Sequence, residues 1–278
     1  MLKPCALLMG GFDGLHTGHR ALLKAAKDAG LPVCITTILG LKSGALFTKE
    51  ERKYIFKQAG IDDVFEYSFT EEFKNLSAEG FLEMLFQKIR AKAVFCGEDF
   101  RFGQGALGTP ELLKKLAPCP VTVLPLLEKE GEKVSVTLIK RLLQAGDIHA
   151  VNELLGSYFM QGRVERGRQV GRTYGFPTLN LSVPEEKLLP PDGGYGGFVV
   201  TPKGTYQSII NIGSRPTFDV TERKLEAHLL DFSGDLYGAI VRVSLTSFLR
   251  PIERFSSKEM LKEQLQRDIR QVKSEADK

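Results

Sequence analysis

The chain has 278 residues, more than one ordinary domain of roughly 100–200 residues, and this length predicts two domains. Hydrophobic residues make up 42% and charged residues 26%, which is typical of globular proteins and excludes a disordered or fibrous chain. The 38 basic and 34 acidic residues are spread along both halves, so we expect no nucleic-acid partner. No apolar run approaches the roughly 18–20 residues that cross a bilayer, so we expect a cytoplasmic protein without a membrane partner.

The four cysteines, Cys5, Cys34, Cys96 and Cys119, lie far apart in the sequence. They form no CxxC pair, and no histidine stands at ligand spacing from them. Each falls in or beside an apolar stretch, which predicts buried free thiols rather than disulfides or a zinc site.

The first half of the chain alternates short apolar segments with helical patterns. The apolar segments predict strands at Cys5–Met9, Val33–Ile38, Val64–Tyr67, Ala93–Cys96 and Val121–Leu124. Helices are predicted at Arg20–Ala29, after a capping box of Thr48 and Glu51, and from Ser77 to Arg90. Strict alternation implies right-handed βαβ crossovers, so we predict an α/β domain with a doubly wound parallel sheet.

The second half changes in character at Gly156, after two helical stretches within Leu138–Leu155. Glycine and proline become dense, and strands are predicted at short intervals at Phe198–Thr201, Tyr206–Ile212, Leu225–Phe232 and Ile240–Leu249. This pattern predicts a small antiparallel β-barrel, followed by a terminal helix that Ser256 and Glu259 cap. We therefore predict two domains, 1–155 and 156–278.

A glycine-rich string with two histidines lies between the first strand and the first helix. It reads Gly10-Gly11-Phe12-Asp13-Gly14-Leu15-His16-Thr17-Gly18-His19. A helix N-terminus offers unpaired N–H groups and a positive dipole end to phosphate, and glycines let the backbone approach the anion. The spacing of His16 and His19 allows both imidazoles to face one phosphate chain. The string therefore predicts a polyphosphate site.

This string resembles the HxGH-type nucleotidyltransferases. Together with Gly97–Gly103 (GEDFRFG), it looks like the FMN adenylyltransferase module of bacterial bifunctional FAD synthetases. The resemblance implies that His16 and His19 stabilise charge on the α- and β-phosphates of ATP while the FMN phosphate attacks the α-phosphorus. It also implies nucleotide contacts by Gly11, Phe12, Asp13, Gly14, Asp99, Arg101, Ser135, Thr137 and Lys140.

Two segments differ from the usual pattern of that family. The family usually has an ISSTxIR-like segment, whereas Val134–Lys140 reads VSVTLIK, with Val136 in place of a hydroxyl residue and Lys140 in place of arginine. A lysine does not reproduce the bidentate guanidinium fork. The family also usually has a Phe-x-Pro-His-Pro-like stretch after the second strand, where Thr37–Gly44 is apparently shortened. We expect FMN affinity to be the property most affected.

A second chemical motif lies in the glycine- and arginine-rich run from Gly162 to Asn180. Its end, Gly175–Asn180 (GFPTLN), is very close to the GFPTAN signature of riboflavin kinases, and Asn211–Phe218 and Leu225–Gly238 match the same family in order. The resemblance implies a Mg²⁺ site at Thr178 and Asn180, with Glu226 as the base for the riboflavin 5′-hydroxyl. It further implies nucleotide contacts by Gly171, Gly175 and Asn180, and flavin contact by Arg250.

The two resemblances cover nearly the whole chain and imply a bifunctional enzyme. Its barrel would phosphorylate riboflavin to FMN, and its α/β domain would convert FMN to FAD and pyrophosphate, with Mg-ATP in both steps. Two alternatives stay open, a riboflavin kinase whose N-terminal domain only binds nucleotide, and a flavin-binding regulator without activity. Intact Thr178, Asn180 and Glu226 favour an enzyme, because binding alone requires no base. The sequence does not predict an oligomeric state.

Overall fold

The computed structural model describes residues 3–39, 44–166, 176–217, 220–253 and 255–276. The chain forms two units, Met1–Leu138 (the N-terminal unit) and Ile139–Lys278 (the C-terminal unit). The domain boundary near residue 156 stays a prediction; Gly156 itself ends a helix in the C-terminal unit.

The N-terminal unit is built on a five-stranded parallel sheet with the order β3-β2-β1-β4-β5. The strands are β1 Cys5–Leu8, β2 Val33–Leu39, β3 Asp63–Ser68, β4 Ala91–Gly97 and β5 Val121–Leu124. The helices are α1 Thr17–Asp28, α2 Lys49–Gln58, α3 Glu71–Lys74, α4 Ala78–Lys88 and α5 Pro110–Leu116, with a 3₁₀ turn at Gln104–Ala106 and a hairpin of β6 Glu128–Lys129 and β7 Glu132–Lys133. The predicted α/β class with a doubly wound sheet is confirmed.

Both faces of this sheet are covered by core residues. Successive side chains of a strand point to opposite faces, so one strand contributes to both cores. Cys5, Leu7 and the following Met9 belong to one core cluster, and Ala6 and Leu8 belong to the other. β1 therefore lies at the centre of the unit, and the strand order reverses between β1 and β4. In open α/β sheets, ligands bind outside the carboxyl ends of the strands at this reversal.

The local predictions for this unit are confirmed in part. α1 begins at Thr17, before the predicted Arg20, because the His16 side chain caps the helix. The capping box of Thr48 and Glu51 is confirmed. The short elements α3, α5, β6 and β7 were not predicted. The cysteines are free, as predicted; three are buried and Cys119 is half-buried.

The C-terminal unit contains a closed barrel with the strand order β10-β11-β12-β9-β8-β13. Its strands are β8 Phe159–Glu165, β9 Leu179–Ser182, β10 Gly193–Thr201, β11 Gly204–Thr217, β12 Val220–Leu229 and β13 Ile240–Pro251. The helices of this part of the chain are α6 Val136–Gln144, α7 Ile148–Leu155 and the terminal α8 Lys258–Ala276. The predicted barrel with a terminal helix is confirmed, and β8 and β9 were not predicted.

The predicted cap of the terminal helix is wrong by one residue. The backbone N–H of Met260 donates to the Ser257 hydroxyl at 3.2 Å, whereas the Ser256 hydroxyl lies 3.2 Å from the sulfur of Met260. Both serines precede the same helix, and only the backbone geometry at the first turn selects between them.

Candidate functional sites

A cavity of about 710 Å³ lies at the carboxyl ends of the strands in the N-terminal unit. One end of it is polar and glycine-rich, and the other end is aromatic. The polar end is formed by Gly10, Gly11, His16, Gly18, His19, Asp99, Lys133 and Ser135. The aromatic end is formed by Tyr67, Phe69, Phe73, Phe81, Phe100 and Phe102. We call this the N-terminal cavity.

His16 and His19 form a stacked pair at the polar end, with ring centroids 3.6 Å apart. The backbone N–H of His19 donates to Nδ1 of His16 at 3.3 Å, so a neutral His16 carries its proton on Nε2. Nδ1 of His19 lies 3.0 Å from the Gly14 carbonyl oxygen and donates to it. These hydrogen bonds fix both rings and both tautomers at the first turn of α1.

Burial keeps the two imidazoles neutral in the free protein. Desolvation, aided by the charge of Lys133 and opposed by that of Asp99, lowers the pKa of His16 from 6.5 to about 4. Desolvation and the neighbouring His16 hold the pKa of His19 well below its ordinary value. An anion bound beside them would favour the protonated forms and raise both pKa values. The pair is therefore suited to a ligand that brings negative charge.

The loop before the pair is shaped by Phe12, Asp13 and Gly14. Phe12 has a positive φ of 44°, and its fully buried ring packs 4.5 Å from the His19 ring. Gly14 has a φ of 112°, a conformation that favours glycine. The Asp13 carboxylate accepts hydrogen bonds from the backbone N–H groups of Leu46 and Phe47. The side chains of Phe12 and Asp13 thus shape the loop, while Gly11 lines the cavity.

The other predicted nucleotide residues of this unit are divided between the cavity and its surroundings. Asp99 and Arg101 line it; Asp99 forms an ion pair with Lys133, and Arg101 donates to the Phe100 carbonyl at 2.8 Å. Ser135 also lines it, and its hydroxyl accepts the backbone N–H of Leu138 at the start of α6. The described residues that line the cavity do not include Thr137 or Lys140. Part of the shortened segment, 40–43, lies outside the described residues.

The aromatic end was only partly predicted. Phe100 and Phe102 stack with centroids 5.5 Å apart; Phe102 lines the cavity and also belongs to the core. Tyr67 and Phe73 stack at 5.9 Å, and Phe81 joins Phe73 to Phe102. Burial raises the pKa of Tyr67, and no partner for its buried hydroxyl lies among the described residues. A flat apolar ring system fits this end of the cavity.

In the barrel, the predicted residues Asn180, Glu226 and Arg250 belong to one cross-strand row. The register pairs Asn180 with Glu226, Glu226 with Asn211, Asn211 with Gly194, and Gly194 with Arg250. Paired residues of neighbouring strands point to the same face of a sheet. Leu225 and Ala227, which flank Glu226, are buried, whereas Glu226 is half-buried. We call Asn180, Glu226, Asn211, Gly194 and Arg250 the polar row.

Arg250 ends the polar row and is held by the terminal helix. Its Nε donates to both carboxylate oxygens of Asp268, at 3.0 and 3.3 Å, and Gln264 donates to the same carboxylate at 2.8 Å. The Arg250 and Asp268 side chains are only 11% and 3% exposed. A Cβ at Gly194 would lie 3.5 Å from Cγ of Arg250, so the arginine extends across this glycine. Sequence reasoning missed Asp268, Gln264 and Gly194.

Thr178 lies beside a second cavity, of about 300 Å³, formed with the loop Phe232–Tyr237. We call this the barrel cavity. Nδ1 of His228, two residues beyond Glu226, donates to the Pro177 carbonyl at 2.9 Å, and its ring packs edge-on against Phe176. His228 thus holds the segment that carries Thr178. The predicted nucleotide residues Gly171 and Gly175 lie outside the described residues.

Models of two protein families match the two parts of the chain. The riboflavin kinase family model matches residues 154–275, and the FAD synthetase family model matches residues 1–138. The bifunctional riboflavin kinase/FMN adenylyltransferase of Escherichia coli K12 is 35% identical, over 96% of this chain and 91% of that protein. The protein of the same name from Bacillus subtilis 168 is 30% identical, over 94% and 89% of the two chains.

A solved structure has the same fold over nearly the whole chain. A Streptococcus pneumoniae protein named as a macrolide-efflux protein superposes with a TM-score of 0.88 at 28% identity, covering 97% of this chain and 94% of that one. Within the described ranges of the present chain, no helix has the length and apolar character needed to span a membrane.

Proposed function

The chain belongs to the bifunctional riboflavin kinase/FMN adenylyltransferase family, and we propose how its residues carry out the two reactions. The enzyme phosphorylates riboflavin to FMN and adenylylates FMN to FAD. No observation favours a kinase with an inactive N-terminal domain or a flavin-binding regulator. We propose that ATP is the donor in both reactions. We also propose that domain 1–155 catalyses adenylyl transfer and that domain 156–278 catalyses phosphorylation.

In the N-terminal cavity, adenylyl transfer proceeds by positioning and electrostatic stabilisation. The triphosphate lies at the polar end, where the first turn of α1 and Nε2–H of His16 supply donors. His19 takes up a proton on Nε2 as the anion binds, because its Nδ1 proton is already donated to Gly14. The flavin ring lies at the aromatic end, and an oxygen of its phosphate attacks the α-phosphorus.

In the barrel, Glu226 accepts the proton of the riboflavin 5′-hydroxyl as that oxygen attacks the γ-phosphorus of ATP. Asn180 and Asn211 flank Glu226 in the polar row. Arg250, held by Asp268, contacts the flavin at the far end of the row. The barrel cavity beside Thr178 receives the nucleotide.

The residues around Thr178 suit magnesium that arrives with ATP. In the described part of the chain, no group of three or more His, Cys, Asp or Glu residues could hold a metal ion by itself. Thr178 and Asn180 offer a hydroxyl and an amide oxygen, hard ligands of the kind that supplement phosphate oxygens and water around Mg²⁺. When bound, Mg²⁺ would offset charge on the transferred phosphoryl group.

The observation that supports this proposal is that predicted site residues lie near one another within each unit: His16 and His19 line the N-terminal cavity with Asp99, and Glu226 shares the polar row with Asn180 and Arg250. Separate assays test it. His19→Ala should abolish FAD formation from supplied FMN and spare FMN formation from riboflavin. Glu226→Gln should do the reverse. Loss of both activities in either variant, or of neither, would contradict these assignments.

A further inference from the structure

A lysine that the sequence motifs did not single out lies at the polar end of the N-terminal cavity. Lys133 ends β7, two residues before Ser135, and lines the cavity together with His16 and His19. Its Nζ forms an ion pair with Asp99, and its charge is near enough to lower the pKa of His16. The structure thus places an ammonium group beside the two imidazoles.

The ion pair between Lys133 and Asp99 is weak enough for Lys133 to leave Asp99 for another anion. The side chains of Lys133 and Asp99 are 40% and 45% exposed, and ion pairs between such exposed groups contribute little to stability. A triphosphate carries several negative charges, and charge-assisted hydrogen bonds from an ammonium group to phosphate are stronger than ordinary ones. A nucleotide in the cavity can therefore draw Lys133 away from Asp99.

Lys133 also occupies a different position from the cation that the family pattern indicates. Lys140 is seven residues further along the chain, in the second turn of α6, and is not among the described residues that line the cavity. Lys133 lies three residues before Val136, the first residue of α6, and the first N–H groups of a helix have no partner within it. Lysine suits this place because it binds phosphate as a point charge.

We propose that Lys133 binds the triphosphate of ATP during adenylyl transfer, exchanging Asp99 for the nucleotide; this inference rests on the proposed function. In that step an oxygen of the FMN phosphate forms a bond to the α-phosphorus. The bond from the α-phosphorus to its bridging oxygen breaks, and pyrophosphate leaves with the electron pair. Lys133 transfers no proton and offsets negative charge on the phosphates.

The first test measures FAD formation from supplied FMN at varied ATP, in the full-length protein. Lys133→Met should lower kcat/KM for ATP by about 10- to 100-fold, and Lys133→Arg should retain most of it. Lys129→Met is the matched control, because Lys129 pairs with Glu132 on the same hairpin and does not line the cavity. The control should match the wild type. An unchanged kcat/KM in Lys133→Met would overturn the inference.

A second test separates phosphate binding from a merely structural contact with Asp99. If Lys133 only holds Asp99, Lys133→Met should have no further effect in an Asp99→Asn background. If Lys133 binds phosphate, the loss in kcat/KM persists there. A wild-type enzyme that makes no FAD would contradict the proposed function itself, whereas FAD formation that is insensitive to Lys133→Met overturns only this inference.

Discussion

The histidine pair should make stability depend on pH, because its protonation differs between the folded and unfolded chain. The pKa of His16 is lowered to about 4 by burial, against an ordinary value of 6.5. Below pH 6.5 the unfolded chain binds a proton at His16 that the folded chain does not bind. The folded state therefore loses stability as pH falls from 6.5 towards 4, and it keeps its full stability above 6.5. The contribution is on the order of 3 kcal/mol. His19 acts in the same direction.

His16→Asn should therefore reduce the loss of stability between pH 7 and pH 5. Asparagine retains a side-chain oxygen that can cap α1, so the helix start is preserved. Denaturant unfolding of both proteins at the two pH values checks this. Equal losses in the wild type and in His16→Asn would show that the imidazole is not held neutral.

We expect His228 to act as a positioning residue for Thr178. Its Nδ1 donates to the Pro177 carbonyl, and Asn can supply a similarly placed donor, whereas Ala cannot. His228→Ala should lower kcat/KM for riboflavin phosphorylation by about 5- to 10-fold, the effect of one hydrogen bond of about 1 kcal/mol. His228→Asn should restore most of it. FAD formation from supplied FMN serves as the control and should not change; equal losses in both variants would refute the hydrogen-bonding role.

At the scale of the element, the terminal helix does more than cover the barrel. α8 brings the buried carboxylate of Asp268 to Arg250, and removing one partner of such a pair leaves an uncompensated charge. Asp268→Ala should therefore lower the free energy of unfolding by about 3 kcal/mol, measured by denaturant titration.

A double variant separates this stability effect from flavin binding. Asp268→Leu combined with Arg250→Met replaces the pair by apolar side chains and should recover most of the stability. If Arg250 contacts the flavin, the KM for riboflavin should stay raised in this stable protein. A wild-type KM for riboflavin in the double variant would show that Arg250 and Asp268 have only a structural role.

Elements with strong periodicity were predictable from the sequence, and short polar ones were not. The strands of the N-terminal sheet are apolar runs between glycines and helix caps, and all five were found close to their observed positions. The hairpin β6–β7 is made of charged residues, and its turn at Glu130 and Gly131 has positive φ values. Hydrophobic periodicity therefore could not predict it. The second half of β8, from Gly162 to Glu165, belongs to the glycine- and arginine-rich run, whose composition is typical of a solvated turn.

The same distinction applies to the sites. The histidines and Glu226 lie in contiguous motifs, so the sequence contained the signal for them. Lys133 meets Asp99 across 34 residues, and Arg250 meets Asp268 across 18, so these pairs follow only from the folded topology. The partner of His228 is 51 residues away and could not be read from spacing.

At the scale of the whole molecule, the two reactions form a sequence, because the product of the kinase is the flavin substrate of the transferase. Each unit has its own buried core and its own cavity. We therefore expect the two activities to be separable by substitutions within either unit, with FMN as the shared intermediate.

The most direct measurement is a time course of the purified protein with riboflavin, ATP and Mg²⁺, with the flavins separated by chromatography. The account predicts that FMN rises first and that FAD follows at its expense. This result would also show that Val136 and Lys140 are tolerated in the N-terminal site. FMN that accumulates without any FAD would contradict the account, because it would show that the kinase is active and the nucleotidyltransferase domain is inactive.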